Sequence, residues 1–409
     1  MNRTCNNRTA ERSNRKISLF CRILSAFLMA TVLFNGKLSV ARAEETGNVT
    51  VSSEAVYLME TESGTVLAEK NADTQRPIAS VTKVMTLLLI FDAIEEGKLS
   101  LTDKITVSEH AASMGGSQVF LEAGEVQDAE TMIKCISISS ANDACVAMAE
   151  HIAGSEAAFV ELMNQKAAEL GMKNTTFLNC CGLDVMGHVS SAKDVALMSA
   201  QLMKTHPEIS RYATTWMDTI IHSTRRGESE FGLANTNKLI KQYNGITGLK
   251  TGSTDEAKYC LSATAERNGI KLVAVVLAAP DTKTRFREAA SLLDYGFSKC
   301  TIYKDKGEDF SLTELAIKGG QKDTVGIRLA KEFSYVFTKG ENIAEITKEA
   351  VMNASCKAPV KVGDKVGEYR YYYGKDLLGS VAVVATEEIK KQSFPYEFLN
   401  CMKLFFREE

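Results

Sequence analysis

The chain has 409 residues, of which 45% are hydrophobic and 24% charged, so it is long enough for more than one domain with a packed core. Lys and Arg number 48, and Asp and Glu number 51. The first 43 residues hold eight of the basic residues and one of the acidic ones, which leaves the rest with 40 basic against 50 acidic, a net charge of −10. A surface of this charge argues against a nucleic-acid partner.

Residues 1–43 have the parts of a secretory leader. Basic residues precede an apolar stretch over 23–34, and Ala41-Arg42-Ala43 supplies the small residues of a cleavage site. The apolar stretch is short against the roughly 20 residues that span a bilayer, although an uncleaved anchor stays the alternative. We therefore expect a signal peptide over 1–43 and a protein that is secreted and acts outside the cytoplasm.

The next residues predict a strand pair and then an apolar helix. Residues 55–59 and 65–70 flank a turn that contains Gly64. Ser80 opens a helix that continues through the apolar stretch 84–91 and stops at Gly97. Two further helical segments, 129–136 and 144–149, are separated by polar residues 139–143, which should present side chains from a loop.

A second group of strands follows these helices. Residues 258–265 and 270–278 bracket Asn268-Gly269, which is a strong hairpin signal. Residues 248–253 lie just upstream and predict a strand of the same sheet, and residues 284–295 predict a helix. Strands at both ends with helices between them indicate an α+β domain over 44–299, with an antiparallel sheet and a helical subdomain.

The texture changes from about Cys300 onward. Short β-type segments at 324–327, 333–337 and 380–384 predict a small all-β sandwich over 300–386. In the tail, 387–409, the apolar residues Phe398, Leu399, Met402, Phe405 and Phe406 share one helical face. Such a tail suits a membrane surface, and packing against the protein is the alternative.

Eight cysteines remain after residue 43, and no Cys/His spacing indicates a metal site. Cys135, Cys145 and Cys260 lie in apolar stretches where they are typical of small core residues. A chain of this length does not depend on disulfides, so we favour free thiols over disulfide bonds. No cofactor is expected, and adjacent Cys180-Cys181 has no explanation in the sequence.

The spacing of Ser80 and Lys83 indicates a nucleophile. Residues three apart on a helix share a face, so the hydroxyl and the amine can meet, and burial favours the neutral amine. The same spacing occurs at Ser13 and Ser190, but only Ser80 begins a long hydrophobic helix. The free N–H groups and the dipole of its first turn suit a developing oxyanion.

Three ordered motifs resemble those of the penicillin-recognising serine enzymes, and among them the low-molecular-mass D-alanyl-D-alanine carboxypeptidases. They are Ser80-Val81-Thr82-Lys83, Ser140-Ala141-Asn142 and Lys250-Thr251-Gly252. Further segments similar to this branch are 116–121, 162–164, 235–237 and 281–285. The resemblance implies a penicillin-binding, β-lactamase-like transpeptidase fold for the first domain, and it is looser after residue 300.

The resemblance also implies roles for the motif residues. Ser80 would attack the penultimate D-alanine carbonyl, Lys83 would act as its base and Ser140 would pass a proton to the departing amine. Asn142, Lys250, Thr251, Gly252 and Ser253 would bind substrate, with the backbone N–H groups of Ser80 and Ser253 as the oxyanion hole. Taken singly, Ser140 and Asn142 are more typical of helix caps, and Lys250 could be a solvated strand residue.

Two departures from the family pattern stand out. Ala141 replaces the Asp that some relatives carry in the second motif, which removes no catalytic atom. Cys180-Cys181 stands where many relatives have Pro-His, so the contribution of that histidine is in doubt here. His188 is similar to a family histidine, and a structural or surface role is the safer interpretation.

The resemblance predicts a serine carboxypeptidase that acts on peptidoglycan stem peptides and is inhibited by β-lactams. A serine β-lactamase of the commonest class would need a deacylating glutamate, and no Glu-x-x-Leu-Asn occurs between Asn142 and Lys250. A DD-endopeptidase stays open as the nearer alternative. A non-catalytic wall-binding protein is disfavoured because the motif residues are intact. Together with the tail, the activity predicts a peripheral position on the outer face of the cytoplasmic membrane.

Overall fold

The computed structural model describes residues 49–225, 227–393, 395, 398 and 402. The predicted leader lies outside these residues. The helices are α1 (Lys83–Glu95), α2 (Glu109–Ala112), α3 (Ala129–Ile138), α4 (Asn142–Ala153), α5 (Glu156–Glu169), α6 (Ala192–Thr205), α7 (Ile209–Ala213), α8 (Leu239–Gln242) and α9 (Thr282–Lys299), with 3-10 turns at Ala79–Thr82 and Ile343–Glu345.

The strands follow the same chain order. They are β1 (Ala55–Glu60), β2 (Val66–Lys70), β3 (Lys104–Thr106), β4 (Val126–Asp128), β5 (Met217–Thr224), β6 (Gly227–Ala234), β7 (Ile246–Thr254), β8 (Lys258–Arg267), β9 (Ile270–Ala279), β10 (Thr301–Asp305), β11 (Glu314–Lys318), β12 (Thr324–Leu329), β13 (Phe333–Phe337), β14 (Ile346–Met352), β15 (Cys356–Lys357), β16 (Lys365–Tyr373) and β17 (Asp376–Ala385).

An antiparallel sheet with the order β2-β1-β9-β8-β7 joins the two ends of the first domain. Alternate side chains point to opposite faces of a strand, and β1 shows this clearly. Val56 and Leu58 pack with Phe286 of α9, whereas Tyr57 and Met59 pack with the helical subdomain. The sheet is therefore covered on both faces, and the predicted α+β fold is confirmed.

The hairpin predicted at Asn268-Gly269 joins β8 to β9. Asn268 has φ +54° and Gly269 has φ +86°, so both central residues lie in the left-handed region that a two-residue hairpin turn requires. This turn aligns β8 beside β9 and leaves the other edge of β8 for β7, the strand that carries Lys250.

The start of the Ser80 helix differs from the prediction. Residues 79–82 form a 3-10 turn with Ala79 at φ +46°, and the α-helix begins only at Lys83. Buried apolar residues hold α1 inside the helical subdomain, and Gly97, at φ +70°, follows its end. The tighter turn keeps Ser80 and Lys83 on the same side.

The predicted break at 139–143 is shorter than expected. Asn142 and Asp143 already belong to α4, because tertiary contacts hold them there. The Asn142 N–H donates to the Ser117 carbonyl at 2.7 Å, and the Asp143 carboxylate accepts from the N–H groups of Val119 and Leu121, each at 3.1 Å. Residues 139–141 remain as the connection between α3 and α4.

The C-terminal domain is all-β, as predicted. A two-stranded sheet of β10 and β13 lies against a six-stranded sheet with the order β14-β16-β17-β12-β11-β15. Phe333 of the first stacks on Tyr371 of the second with ring centroids 3.8 Å apart, within a core that also holds Val325 and Val383. The domain limits 44–299 and 300–386 stay predictions.

Only part of the predicted amphipathic tail falls among the described residues. Phe398 and Met402 are 59% and 42% exposed, and Leu399, Phe405 and Phe406 lie outside the described residues. Over the part of the chain that the structure describes, no helix is both long and apolar enough to cross a membrane. The cysteines in this part, Cys135, Cys145, Cys180, Cys181, Cys260, Cys300 and Cys356, are free thiols.

Candidate active site

The structure brings Ser80, Lys83 and Asn142 together. Lys83 is fully buried, and its Nζ lies 2.9 Å from Ser80 Oγ and 2.7 Å from Asn142 Oδ1. A third contact, at 2.7 Å, reaches the backbone carbonyl of Cys181. The predicted serine and lysine therefore meet, and two more residues fix the direction of the amine.

This arrangement suits a general base. A neutral amine has two N–H donors and one lone pair. With the donors on the Asn142 and Cys181 oxygens, the lone pair faces the Ser80 hydroxyl, which is the geometry that proton removal from the nucleophile requires. An ammonium group would instead donate to all three oxygens.

The side chain of Asn142 is held by the segment that contains Gly115. Its Nδ2 donates to the Gly115 carbonyl at 2.7 Å, which sets the orientation of the amide and directs Oδ1 to Lys83. A Cβ on Gly116 would lie 2.9 Å from that Nδ2, so the close approach depends on glycine. Asn142 thus positions the lysine, a role that the sequence did not suggest.

Ser140 occupies the loop between α3 and α4 with φ +61°. Its hydroxyl is buried and has no hydrogen-bond partner among the described residues. A buried hydroxyl without a partner is uncommon, because desolvation of a polar group costs about 1–3 kcal/mol. The Ser140 hydroxyl can therefore donate a hydrogen bond to a bound molecule or accept one from it.

Strand β7 forms another wall of the active site, against the turn that bears Ser80. A Cβ on Gly252 would lie 2.6 Å from the Ile78 carbonyl oxygen and 3.0 Å from Ser80 N, so the strand passes against the turn that bears Ser80. Buried Arg285 of α9 holds this segment, because its Nη1 donates to the carbonyls of Gly252 at 3.0 Å and Cys260 at 3.2 Å. Ser253, the next residue, is exposed.

The other motif residues of β7 lie just upstream of Gly252. Thr251 is buried, and its hydroxyl lies 2.5 Å from that of Thr236. Lys250 is buried too, and its Nζ donates to the Thr251 carbonyl at 3.3 Å. Thr236 belongs to the family-like segment 235–237, so this segment supports the motif residue.

Burial, and next the neighbouring Lys83 charge, hold the pKa of Lys250 well below that of an ordinary lysine. This repulsion acts on Lys250 only while Lys83 is an ammonium group, and it is absent when Lys83 is the neutral base. An anionic group bound beside Lys250 would oppose both effects and favour its ammonium form.

Cys180 and Cys181 contribute through their backbone. The Cys180 carbonyl accepts from Thr86 Oγ1 at 2.5 Å, and the Cys181 carbonyl accepts from Lys83. Asn179 Oδ1 in turn accepts from the N–H groups of Cys181 at 3.2 Å and Gly182 at 2.7 Å. The loop 179–182 is thus fixed against α1 through its backbone.

His188 has a structural role, in agreement with the safer interpretation. Its Nδ1 accepts from the Leu178 N–H at 3.0 Å, so its Nε2 carries the proton and donates to Thr82 Oγ1 at 2.8 Å. Burial lowers the pKa of His188 to about 4. The neutral ring joins the loop after α5 to the turn of Ser80.

One group among the described residues has atoms close enough to hold a metal ion. The ligand atoms of Asp92, Glu95 and His206 lie within 4.8 Å of one another at the far end of α1. The second carboxylate oxygen of Asp92 pairs with Lys166 at 3.0 Å, so an ammonium group already balances this site. We assign the group no part in the chemistry at Ser80.

Comparisons with known proteins agree with this geometry. A family model described as D-alanyl-D-alanine carboxypeptidase matches residues 40–281, and the model of the penicillin-binding protein 5 C-terminal domain matches residues 297–391. The carboxypeptidase DacF of Bacillus subtilis is 38% identical over 91% of this chain and 96% of its own length. DacA of Escherichia coli is 31% identical over 94% and 97%, respectively.

Solved structures give the same result. Penicillin-binding protein 5 of Haemophilus influenzae superposes with a TM-score of 0.63 at 28% identity, covering 84% of this chain and 98% of its own. A peptidoglycan synthesis regulatory factor, PBP3, of Streptococcus pneumoniae reaches a TM-score of 0.68 at 26% identity, covering 83% and 100%. The chain belongs to the family of serine-type D-alanyl-D-alanine carboxypeptidases, the low-molecular-mass penicillin-binding proteins.

Proposed function

We propose that this enzyme removes the terminal D-alanine from peptidoglycan stem pentapeptides through an acyl-enzyme on Ser80. The observation that carries the proposal is the set of three contacts made by the Lys83 amine, at 2.9 Å to Ser80 Oγ and 2.7 Å each to the Asn142 and Cys181 oxygens. These contacts direct the lone pair of the buried Lys83 amine toward the Ser80 hydroxyl.

In the first step Ser80 Oγ attacks the carbonyl carbon of the penultimate D-alanine, and its proton passes to Lys83 Nζ. The backbone N–H groups of Ser80 and Ser253 stabilise the oxyanion, and loss of one such donor costs about 2.7–4 kcal/mol. Ser140, whose hydroxyl has no partner among the described residues, delivers a proton to the departing amine. The C–N bond breaks, D-alanine leaves, and water later hydrolyses the ester.

A carboxypeptidase substrate is distinguished by its free terminal carboxylate. Lys250 and Thr251 provide the groups that bind this carboxylate. When the Thr236 hydroxyl donates to Thr251, the O–H of Thr251 is left to donate to the substrate carboxylate. The low proton affinity of Lys250 rises when an anion arrives, because the anion offsets the cost of burial and the repulsion from Lys83. Substrate binding thus completes the positive potential of the site.

β-Lactams should acylate the same serine and remain there. The sequence contains no Glu-x-x-Leu-Asn segment between Asn142 and Lys250 to activate a deacylating water as in the commonest β-lactamases. A persistent penicilloyl ester would block Ser80. This favours an inhibited carboxypeptidase over a β-lactamase.

We also propose that the enzyme is secreted and lies on the outer face of the cytoplasmic membrane. The leader-like residues 1–43 and the apolar face of the tail support this location. Phe398 and Met402, the two members of that face among the described residues, are exposed. Removal of residues 387–409 should release the enzyme from membranes, and continued membrane binding would contradict the proposal.

Labelling with a fluorescent penicillin tests the nucleophile. The wild type should be labelled and Ser80→Ala should not. Ser190→Ala is a matched control, because Ser190 and Lys193 have the same spacing as the catalytic pair. Labelling of Ser80→Ala at the wild-type level would refute the assignment.

A second assay separates carboxypeptidase from endopeptidase activity. A pentapeptide that ends in D-Ala-D-Ala and a cross-linked peptide dimer are offered in parallel. Release of D-alanine from the first, with the second intact, supports the proposal. Cleavage of the dimer alone would favour the endopeptidase.

A further inference from the structure

A cavity of about 490 Å³ lies between α8 and the first half of α9. The buried side chains of Leu239 and Phe286 line it, together with half-buried Tyr243 and Ala290. None of these residues takes part in the contacts around Ser80. The cavity is therefore separate from the active site, and its volume is within the range of roughly 300–1,000 Å³ that is usual for ligand sites.

Three exposed basic side chains, Lys238, Lys283 and Arg287, complete the lining of this cavity. Among the residues that the structure describes, no carboxylate lines the cavity, and none lies within 4 Å of these three positive groups. The chain after residue 43 carries a net charge of −10, so a cluster of unpaired cations is an exception on its surface. This cluster is able to attract an anion.

Asp281, at the start of α9, is held by the helix itself. Its Oδ1 accepts from the N–H groups of Lys283 at 2.8 Å and Thr284 at 2.9 Å, and its Oδ2 accepts from the Thr284 hydroxyl at 2.6 Å. Thr284 Oγ1 in turn accepts from Arg287 Nη2 at 3.2 Å, which leaves the other N–H groups of the guanidinium for a ligand. Since Asp281 already satisfies the first turn of α9, an anion would bind to the side chains and not to the helix end.

The lining indicates an anion with an apolar part. A phosphate group has more acceptor oxygens than a carboxylate, and a guanidinium group binds it through two parallel N–H···O bonds. Three cations from two segments suit such a group better than they suit a carboxylate. Leu239 and Phe286 offer no hydrogen bonds, so the remainder of the ligand should contain methylene groups, each of which favours binding by about fourfold when it is buried.

We propose that this cavity binds the headgroup of an anionic phospholipid. Lys238, Lys283 and Arg287 hold the phosphate, and the first acyl methylene groups pack against Leu239 and Phe286. The proposed position of the enzyme at a membrane places such lipids within reach. A soluble phosphate ester has the same charge but leaves the apolar part of the cavity uncovered. The inference concerns a site apart from Ser80 and does not depend on the reaction there.

Calorimetric titration of the full-length enzyme with dihexanoylphosphatidylglycerol, below its micelle concentration, measures the binding. Glycerophosphoglycerol has the same phosphodiester without acyl chains, and it should bind about tenfold more weakly because no methylene group of a chain is buried. Dihexanoylphosphatidylcholine has the same chains but no net charge, and its affinity should be about tenfold lower too. Salt at 0.5 M should weaken binding of the anionic lipid, because screening reduces the attraction of exposed charges.

The double variant Lys238→Gln, Lys283→Gln tests the role of the cations. Both side chains are exposed and make no contact that the fold requires among the described residues. We expect the affinity for dihexanoylphosphatidylglycerol to fall by about tenfold, since each exposed ion pair contributes up to about fivefold.

The double variant Lys241→Gln, Lys299→Gln is the matched control, because it removes the same charge from the same two segments. Lys241 Nζ lies over the Trp216 ring at 4.4 Å and Lys299 Nζ over the Tyr295 ring at 5.4 Å, and neither lysine lines the cavity. This control should bind the lipid as the wild type does. Equal affinity in the two double variants would overturn the inference, and so would equal affinity of the wild type for dihexanoylphosphatidylglycerol and glycerophosphoglycerol. Penicillin labelling at the wild-type rate shows that each variant is folded.

Discussion

Gly182→Ala should damage both the fold and the acylation rate. A Cβ at Gly182 would lie 1.9 Å from the Ala79 carbonyl oxygen, whereas side-chain carbons keep at least about 3.0 Å from such an atom, so the backbone must move by about 1 Å. Gly182 also has φ +86°, which costs an alanine about 1–2 kcal/mol. With about 1–3 kcal/mol for the forced displacement, the free energy of unfolding should fall by about 2–5 kcal/mol.

The same displacement should reach the chemistry. Ala79 adjoins Ser80, and the Cys181 carbonyl that binds Lys83 adjoins Gly182. Urea unfolding and the second-order rate of penicillin acylation measure the two effects. Gly154→Ala is the control, because Gly154 has φ +82° with no atom within 4 Å of its Cβ position, and it should lose only the backbone term. If both variants lose equal stability and Gly182→Ala is acylated at the wild-type rate, the close-approach argument is wrong.

Two further predictions concern charge. In the unfolded chain His188 binds a proton below about pH 6.5, the ordinary pKa of histidine, whereas in the folded protein it does so only below about pH 4. The free energy of unfolding therefore falls by up to about 3 kcal/mol as the pH drops from 6.5 to 4. His188→Asn should show a weaker fall in urea unfolding at pH 7.5 and 4.5, and an equal fall in both proteins would contradict this source. A substrate that ends in D-alaninamide should lose about 10- to 100-fold in kcat/KM, because Lys250 and Thr251 lose an ionic partner worth about 1.5–3 kcal/mol. Equal rates of D-alanine and D-alaninamide release would remove these two residues from the proposed carboxylate site.

Local signals predicted the scaffold of the site well. Asn268-Gly269 specifies its turn by backbone conformation alone, and the apolar stretch after Lys83 can form a helix only if it is buried. The first feature aligns β8 with β9, and the second indicates a buried helix at α1. The pairing of Ser80 with Lys83 follows from their spacing, which the 3-10 turn preserves.

The partners of these residues could not be predicted in the same way, because they come from distant parts of the chain. Asn142 joins α4 and binds Lys83 through contacts with Gly115 and Ser117. The Cys181 carbonyl lies 98 residues from the lysine that it binds, and any residue type provides a backbone carbonyl. A sequence motif is defined by side chains, so it does not reveal hydrogen-bond acceptors on the backbone.

Three glycines explain how distant segments converge on one turn. A Cβ at Gly252 would meet the Ile78 oxygen at 2.6 Å, one at Gly182 the Ala79 oxygen at 1.9 Å, and one at Gly116 the amide of Asn142 at 2.9 Å. Gly252 belongs to one of the three motifs and Gly116 to a family-like segment, and all three glycines permit the same kind of approach. The site therefore depends as much on side chains that are absent as on those that react, because a methyl group at Gly116 or Gly182 would displace a segment that holds the Lys83 amine, and one at Gly252 would push β7 away from the turn of Ser80.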